Sequence, residues 1–408
     1  MSPDAQPWRP SPVAPHAAGA RTGFHRESRS VFHVKHRTHR RLRLRRGATL
    51  ALLPFLLLLA LLSGCTHGLE APAGWAAPVS DGQQVYVQLQ PGVLSAVRIA
   101  EGTVQQRWRY PADGDKIKLT AIYGRPIVSG GTVFVAAHSG HVVALDAATG
   151  RPLESWRGGP VDLQAHIVAT PAFDGSRLYV ATDRGDLFAV DAGSGASTRL
   201  MAGDGRVWSG VAHRDGVLYL GNLDRRTIRA VDAQTGALRW EQTLSGAALA
   251  DLQLDGSALI VGSLDRAVQA LDTAADGKER WRFGGDGWFA ATPLVAEGAV
   301  FAATLRGSVY AVDPVSGEQR WQFHRDDLTV RARPALASGV LVVIGRKGDV
   351  FGLDPATGTP RWHQTLTDVR IEADPLLHNG ALLLVTTKGE LVRVAPDSGT
   401  VSRLGAAG

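Results

Sequence analysis

The feature that most constrains this chain is a short motif that returns at a nearly constant interval. It reads ALDAATG at Ala144–Gly150, AVDAGSG at Ala189–Gly195, AVDAQTG at Ala230–Gly236, AVDPVSG at Ala311–Gly317 and GLDPATG at Gly352–Gly358, with a looser copy, ALDTAADG, at Ala270–Gly277. The aspartates are Asp146, Asp191, Asp232, Asp272, Asp313 and Asp354, at spacings of 45, 41, 40, 41 and 41 residues. A proline stands twenty residues before four of them (Pro126, Pro171, Pro293 and Pro334). The same offset joins Pro375 to Ala395 and Pro78 to Arg98, each with a glycine four residues on, Gly399 and Gly102. Eight units therefore follow one another. A fixed period of this size marks stacked supersecondary units, none of which buries its apolar face alone.

Each unit carries four short strand signals. In the sixth, Thr292–Val295 opens with a proline at the strand start, where a missing donor costs least; Ala299–Ala303 is an apolar run, Ser308–Val312 alternates, and Gln319–Trp321 closes the unit. The D-x-x-[ST]-G stretch is hairpin chemistry: the aspartate bonds the backbone two residues on and the glycine takes the left-handed position. Its aspartates are expected to form turns, not to catalyse. Four strands per 40 to 45 residues predict an all-β fold, an eight-bladed β-propeller of four-stranded antiparallel blades. Trp108, Trp156, Trp240, Trp281, Trp321 and Trp362 close units 1, 2, 4, 5, 6 and 7, while Leu200 or Met201 and Leu404 stand there in units 3 and 8. A ring at one fixed point of each blade serves best as a wedge against the neighbouring blade, burying about 150–250 Å². Rings distributed around a circle cannot face one ligand.

Ahead of the repeats, the basic block HRRLRLRRG leads into the uncharged run ATLALLPFLLLLALL, Ala48–Leu62. At about 1.5 Å per residue such a run is short for a hydrocarbon core of about 30 Å, so it reads as a cleaved signal and not as a membrane span. Leu62-Ser63-Gly64-Cys65 resembles the lipobox of bacterial lipoproteins, which implies cleavage before Cys65 and acylation of its thiol. The expected organisation is a basic leader and signal over 1–64, a short tether over 65–76 and a propeller over 77–408. The leader is long for a signal, as expected if translation starts near Val31 or Val34. Residues 1–64 hold eleven Lys and Arg against Asp4 and Glu27, so the remainder has 33 basic and 36 acidic residues. The basic whole-chain balance belongs to the leader and is no argument for nucleic-acid binding. With the lone cysteine acylated, no thiol is left for a disulfide, a Cys-based metal site or a nucleophile.

The sixth unit, TPLVAEGAVFAATLRGSVYAVDPVSGEQRW (Thr292–Trp321), resembles the repeat of the pyrroloquinoline quinone (PQQ) propellers, and the resemblance runs from Ala77 to about Leu404. It implies that the Ala, Gly and Trp of each blade dock onto its neighbour. Two branches of that family differ in function. The quinoprotein dehydrogenases hold PQQ and Ca²⁺, typically beside a disulfide between adjacent cysteines, which this chain lacks. The acids of DDL (Asp326–Leu328) and ADGDK (Ala112–Lys116) read as isolated solvated loops, short of the six to eight oxygens that Ca²⁺ takes. There is no HExxH and no Ser/His/Asp arrangement, and His138 and His141 in HSGH are a weak metal signal. The lipid-anchored, non-catalytic propellers of outer-membrane protein assembly match better in length, lipobox and missing disulfide. That resemblance implies a scaffold without cofactor or metal that binds a protein partner or client. It further implies a lipid anchor in the cell membrane or on the periplasmic face of the outer membrane, with Thr66 permitting outer-membrane sorting.

A partner is expected on the face carrying the second-to-third-strand turns and the inter-blade loops. Seven residues before each aspartate slot, the turns of units 3 to 8 place Arg184, Arg225, Asp265 with Arg266 beside it, Arg306, Lys347 and Lys388: an arc of cations. The inter-blade loops add Tyr123, His166, Arg331, Arg370 and Glu372, and in GDGWFAATP they add Trp288 and Phe289 as candidate exposed anchors.

Overall fold

The computed structural model describes residues 74–100 and 102–405; the leader, the lipobox and Cys65 lie outside the described residues. Among these residues there is no helix, and so none long and apolar enough to cross a membrane. The strands form eight four-stranded sheets, each built in chain order from one repeat. Blades 1 to 4 occupy Val79–Tyr110, Ile127–Asp162, Ala172–Met201 and Ala212–Thr243, and blades 5 to 8 occupy Gln253–Gly284, Leu294–His324, Ala335–Thr365 and Leu376–Gly405.

Blade 6 shows how the sequence pattern becomes a blade. Leu294–Ala296 pairs with Ala299–Ala303, which pairs with Ser308–Val312, which pairs with Gln319–His324, all antiparallel. The two middle strands are buried along their whole length, sandwiched between neighbouring blades, whereas the last alternates buried and exposed residues at the rim. The turn between the third and last strands is held by Asp313, whose Oδ1 accepts the N–H groups of Val315 and Ser316 at 2.9 Å each. Gly317 has φ 75°, and a Cβ there would lie 2.7 Å from the Cβ of Trp281 in blade 5. One glycine thus answers two demands, a left-handed turn and the close approach of an indole. Trp281 Nε1 also donates to the Pro314 carbonyl at 2.8 Å.

The same docking recurs. Trp108 donates to Ala147, Trp321 to Pro355 and Trp362 to Pro396, each at 2.9 Å, and the Trp240 ring lies against Gly277. In blade 3, which lacks a tryptophan, Gly236 rests on Leu200. Blade 2 differs from the expected strand pattern. Pro152 limits the last strand to a bridge with Leu145 and then Val161–Asp162, so Trp156 sits in the intervening turn, yet it still abuts Gly195 and donates to Ala192 at 2.9 Å. Four turn aspartates gain an arginine from the last strand: Asp232–Arg239 at 2.7 Å, Asp272–Arg280 at 3.0 Å, Asp313–Arg320 at 2.7 Å and Asp354–Arg361 at 2.6 Å. Those contacts, with the turn N–H groups, hold the carboxyls of Asp232 and Asp313 well below the ordinary carboxylate range.

The ring closes without exchange of a strand between its ends. Val85, Val87, Leu89 and Val97 of blade 1 share one buried cluster with Leu383, Val385, Leu391 and Leu404 of blade 8. Ser80 Oγ meets His378 Nδ1 at 3.1 Å across the same seam.

Candidate binding site at the channel mouth

The segment that enters each blade is extended, and its side chains alternate. Taking the residue just before each first strand as the slot (Pro78, Pro126, Pro171, Val211, Leu252, Pro293, Pro334 and Pro375), position −2 is small and buried in every blade. It is Ala76, Gly124, Ala169 and Ser209 in blades 1 to 4, then Ala250, Ala291, Ala332 and Ala373. Position −4 is a buried apolar residue from blade 2 onward: Ile122, Ile167, Val207, Ala248, Phe289, Val330 and Ile371. A period of two places −3 and −1 on the opposite side, toward the central channel. The carbonyl of position −5 accepts a hydrogen bond from a residue just past the second strand of the same blade. Examples are Asp183 N to His166 O (2.7 Å), Leu305 N to Trp288 O (3.0 Å) and Thr387 N to Arg370 O (2.8 Å). Second-to-third-strand turns and inter-blade segments are thereby tied into one face.

Two octets result. Position −3 supplies Trp75, Tyr123, Val168 and Trp208 from blades 1 to 4, and Leu249, Ala290, Arg331 and Glu372 from blades 5 to 8; all eight line a cavity of about 350 Å³. Position −1 follows on the same side, and Ala77, Arg125, Thr170, Asp251, Thr292 and Asp374 line the cavity from there. There the backbone N–H of one blade reaches the −1 side chain of the next: Arg125 to Thr170 (3.3 Å), Gly210 to Asp251 (2.8 Å), Asp251 to Thr292 (3.2 Å) and Arg333 to Asp374 (2.7 Å). Arg333 also reaches Gln253 of blade 5 with Nη2 at 2.9 Å, while its buried Nε has no hydrogen-bond partner among the described residues. Burial lowers the Arg333 guanidinium and raises the Asp374 carboxyl, the latter against the lowering effect of the Arg333 N–H. Ala77, Arg125 and Asp374 line both this cavity and a second one on the far side, so the charged ring is the floor shared by the two.

Aromatic and cationic groups crowd the mouth. Arg331 lies 4.6 Å over the Trp75 ring, Trp75 meets Tyr123 edge-on at 4.4 Å, Tyr123 meets His138 at 5.4 Å, and His138 stacks on His166 at 4.2 Å. Burial first, and His166 second, depress the His138 imidazole below its ordinary value. Arg206 covers Trp208 at 5.5 Å. Glu372, with its side chain only 6% exposed, takes three guanidinium groups: Arg346 and Arg370 at 2.6 Å and Arg331 at 3.2 Å. One carboxylate among three cations leaves local positive charge at the rim.

The sequence-derived candidates fall into this register. Tyr123, Arg331 and Glu372 are −3 residues, His166, Trp288 and Arg370 are −5 residues, and Trp288 is 53% exposed. Phe289 is a correction: as a −4 residue it is fully buried, packed on Gly285 and Tyr310, and cannot be a surface anchor. Glu372 lines the cavity as well, with its carboxylate buried under the three arginines that it holds in place. Of the arc, Arg184, Arg266, Arg306 and Lys347 are exposed without an ion pair among the described residues. Arg225 pairs with Asp204 at 2.8 Å, and Lys388 Nζ donates to the Asp368 carbonyl at 3.2 Å. His138 and His141 diverge, since His141 meets Ser139 at 3.0 Å while His138 lines the cavity; no group of three metal-ligating side chains occurs among the described residues. Sequence reasoning missed Trp75, Trp208, Arg125, Asp251, Arg333 and Asp374. The signal for them was the recurrence of apolar, any, small, any before each slot.

Eight sheets in chain order, indoles docked on turn glycines and the D-x-x-[ST]-G hairpins define an eight-bladed propeller of PQQ-like repeats. The family model described as outer membrane protein assembly factor BamB matches residues 70–200, 199–275 and 227–404, and the chain belongs to that family. Among solved structures, BamB from Moraxella catarrhalis is 21% identical, with 79% of this chain and 95% of that one covered at a TM-score of 0.63. The computationally designed Ika8 protein is 17% identical over 82% and 97%, with a TM-score of 0.64. A europium-containing methanol dehydrogenase is 12% identical over 76% and 81%, with a TM-score of 0.56. At these identities the structural likenesses speak for the fold alone. No curated protein sequence matches.

Proposed function

We propose that this protein is a non-catalytic binding scaffold of the cell envelope, lipid-anchored at Cys65, that holds a protein partner or client during outer-membrane protein assembly. The observation that carries the proposal is the match of the BamB family model along nearly the whole propeller. The mouth supports it physically. Half-exposed Trp75, Trp208 and Trp288 share one face with cations that have no ion pair among the described residues, the combination of aromatic anchors and steering charge that protein interfaces use. The lipobox at Cys65, with two or more acyl chains on its product, gives an anchor strong enough to retain the propeller at the cell membrane or on the periplasmic face of the outer membrane.

The test is affinity capture from solubilised envelopes with the wild-type chain, beside acyl labelling and fractionation of Cys65→Ser. Recovery of a discrete envelope protein, and loss of both label and membrane retention in the variant, is the expected result. Capture of no partner would remove the scaffold role, and an unchanged label in Cys65→Ser would remove the anchor.

A further inference from the structure

The cavity at the mouth has a polarity of its own. Around an eight-membered ring, blade n faces blade n+4, so Trp75 stands across from Leu249, Tyr123 from Ala290, Val168 from Arg331 and Trp208 from Glu372. Blades 1 to 6 thus give the wall aromatic or apolar side chains, and blades 7 and 8 give it charge. The small Val168 between Tyr123 and Trp208, and Ala290 opposite, leave the apolar part open. The charged part is unbalanced, because Arg331, Arg346 and Arg370 share the single carboxylate of Glu372. The floor carries Arg125 and Arg333 together with Asp251 and Asp374, as many cations as carboxylates, so it does not offset the excess at the rim.

We infer that this cavity receives one aromatic side chain from an acidic peptide segment, with the ring against the blade 1 to 4 wall and a flanking carboxylate on Arg331 and Arg370. The inference rests on the binding role proposed above and names the chemistry of the occupant. A volume of about 350 Å³ sits at the small end of ligand sites, about 300–1,000 Å³, too little for a folded element and enough for one or two side chains. An aromatic group suits a wall of ring faces and edges better than an aliphatic one, and it gains most from being taken out of water. A carboxylate suits the guanidinium groups of Arg331 and Arg370, each of which meets Glu372 through Nε and has no second ion pair among the described residues.

The experiment uses the full chain in detergent and three blocked tripeptides carrying a fluorine label: Glu-Phe-Glu with 4-fluorophenylalanine, the same with lysines for glutamates, and a fluoroalanine-centred Glu-Ala-Glu. Binding is followed by fluorine NMR. The acidic aromatic peptide should bind about tenfold or more tightly than either control, a difference of about 1.4 kcal/mol. Ala290→Trp, which fills the apolar half, and the paired Arg331→Gln and Arg370→Gln change should each remove that preference, with circular dichroism confirming the fold of both. Equal binding of the three peptides, or a preference that survives Ala290→Trp, overturns the inference. The scaffold role is judged separately by partner capture. If Ala290→Trp captures the wild-type partner while no peptide binds, the cavity reading falls and the scaffold stands; if the peptide binds but nothing is captured, the reverse holds.

Discussion

The two ends of the propeller treat their repeated positions in opposite ways. At the hairpin end, most blades use the same residues for the same purpose. An aspartate holds the turn, a glycine admits the neighbour's indole, and four blades add an arginine on the aspartate. At the mouth end only alternate residues are repeated. Positions −4 and −2 are fixed as apolar and small because they enter the inter-blade core, whereas −3 and −1 range from alanine to tryptophan to arginine. Recurrence across blades therefore marks what the fold requires. Variation inside a fixed register marks what the fold leaves free, and that is where a binding site can be written.

The largest effect that would break this contrast belongs to the hairpin end. Trp321 is buried, donates to Pro355 at 2.9 Å and lies against Gly358, so Trp321→Ala should cost about 3–5 kcal/mol in a denaturant melt. A loss below about 1 kcal/mol would mean that the blades are not held by their indoles. Partner binding, measured on whatever remains folded, should be unaffected, because the ring is far along the blade from the mouth turns.

An intermediate effect belongs to Glu372, the one mouth residue of the −3 octet that is buried. Glu372→Gln removes the charge on which Arg331, Arg346 and Arg370 converge and leaves three guanidinium groups to repel one another. The expected loss is about 2 kcal/mol, as for hydrogen bonds to charged groups. Arg331 should also leave the Trp75 ring, visible as a change in tryptophan emission. A neutral result would mean that the cluster adds nothing to folding, and it would weaken the carboxylate site inferred from it.

How much of this was legible beforehand follows from where each signal is stored. The blades were legible because turn chemistry is local and the period repeats it: Asp313 and Gly317 announce the same hairpin as Asp354 and Gly358. The tryptophan wedges were legible because recurrence alone separates a docking residue from a ligand stack. The mouth was less legible, for two physical reasons. Inter-blade segments read as loops, where no alternation is expected, so Phe289 looked as exposed as Trp288 although one residue separates the core side from the solvent side. The charged −1 residues are also spread around the chain, and only ring closure brings Arg125, Asp251, Arg333 and Asp374 together. Trp75 lies within the stretch expected to be a tether, yet its N–H and that of Ala76 both bond the Ile122 carbonyl, at 3.1 and 3.0 Å.

The smallest effect on stability, and the sharpest on function, is expected from the cationic turns. Arg306 and Lys347 have no ion pair among the described residues, and Lys388 touches only a backbone carbonyl. Reversing all three to glutamate should therefore leave the melting temperature nearly unchanged, since exposed charges add little to folding. Their fields do add at the mouth, although each is screened beyond about 8 Å at physiological salt. Association with a captured acidic partner should accordingly slow by about tenfold at low salt, and its salt dependence should flatten. The control has to be chosen with care. Arg239, Arg280 and Arg320 look like neutral rim charges in the sequence, but they hold the turn aspartates, so reversing them would disturb the hairpins. Arg98, Arg107 and Arg393, exposed and without an ion pair among the described residues, are the proper comparison. If the arc variant and this control associate at the same rate, the turns carry ordinary loop polarity, and recognition is left to the aromatic side of the mouth at Trp75, Trp208 and Trp288.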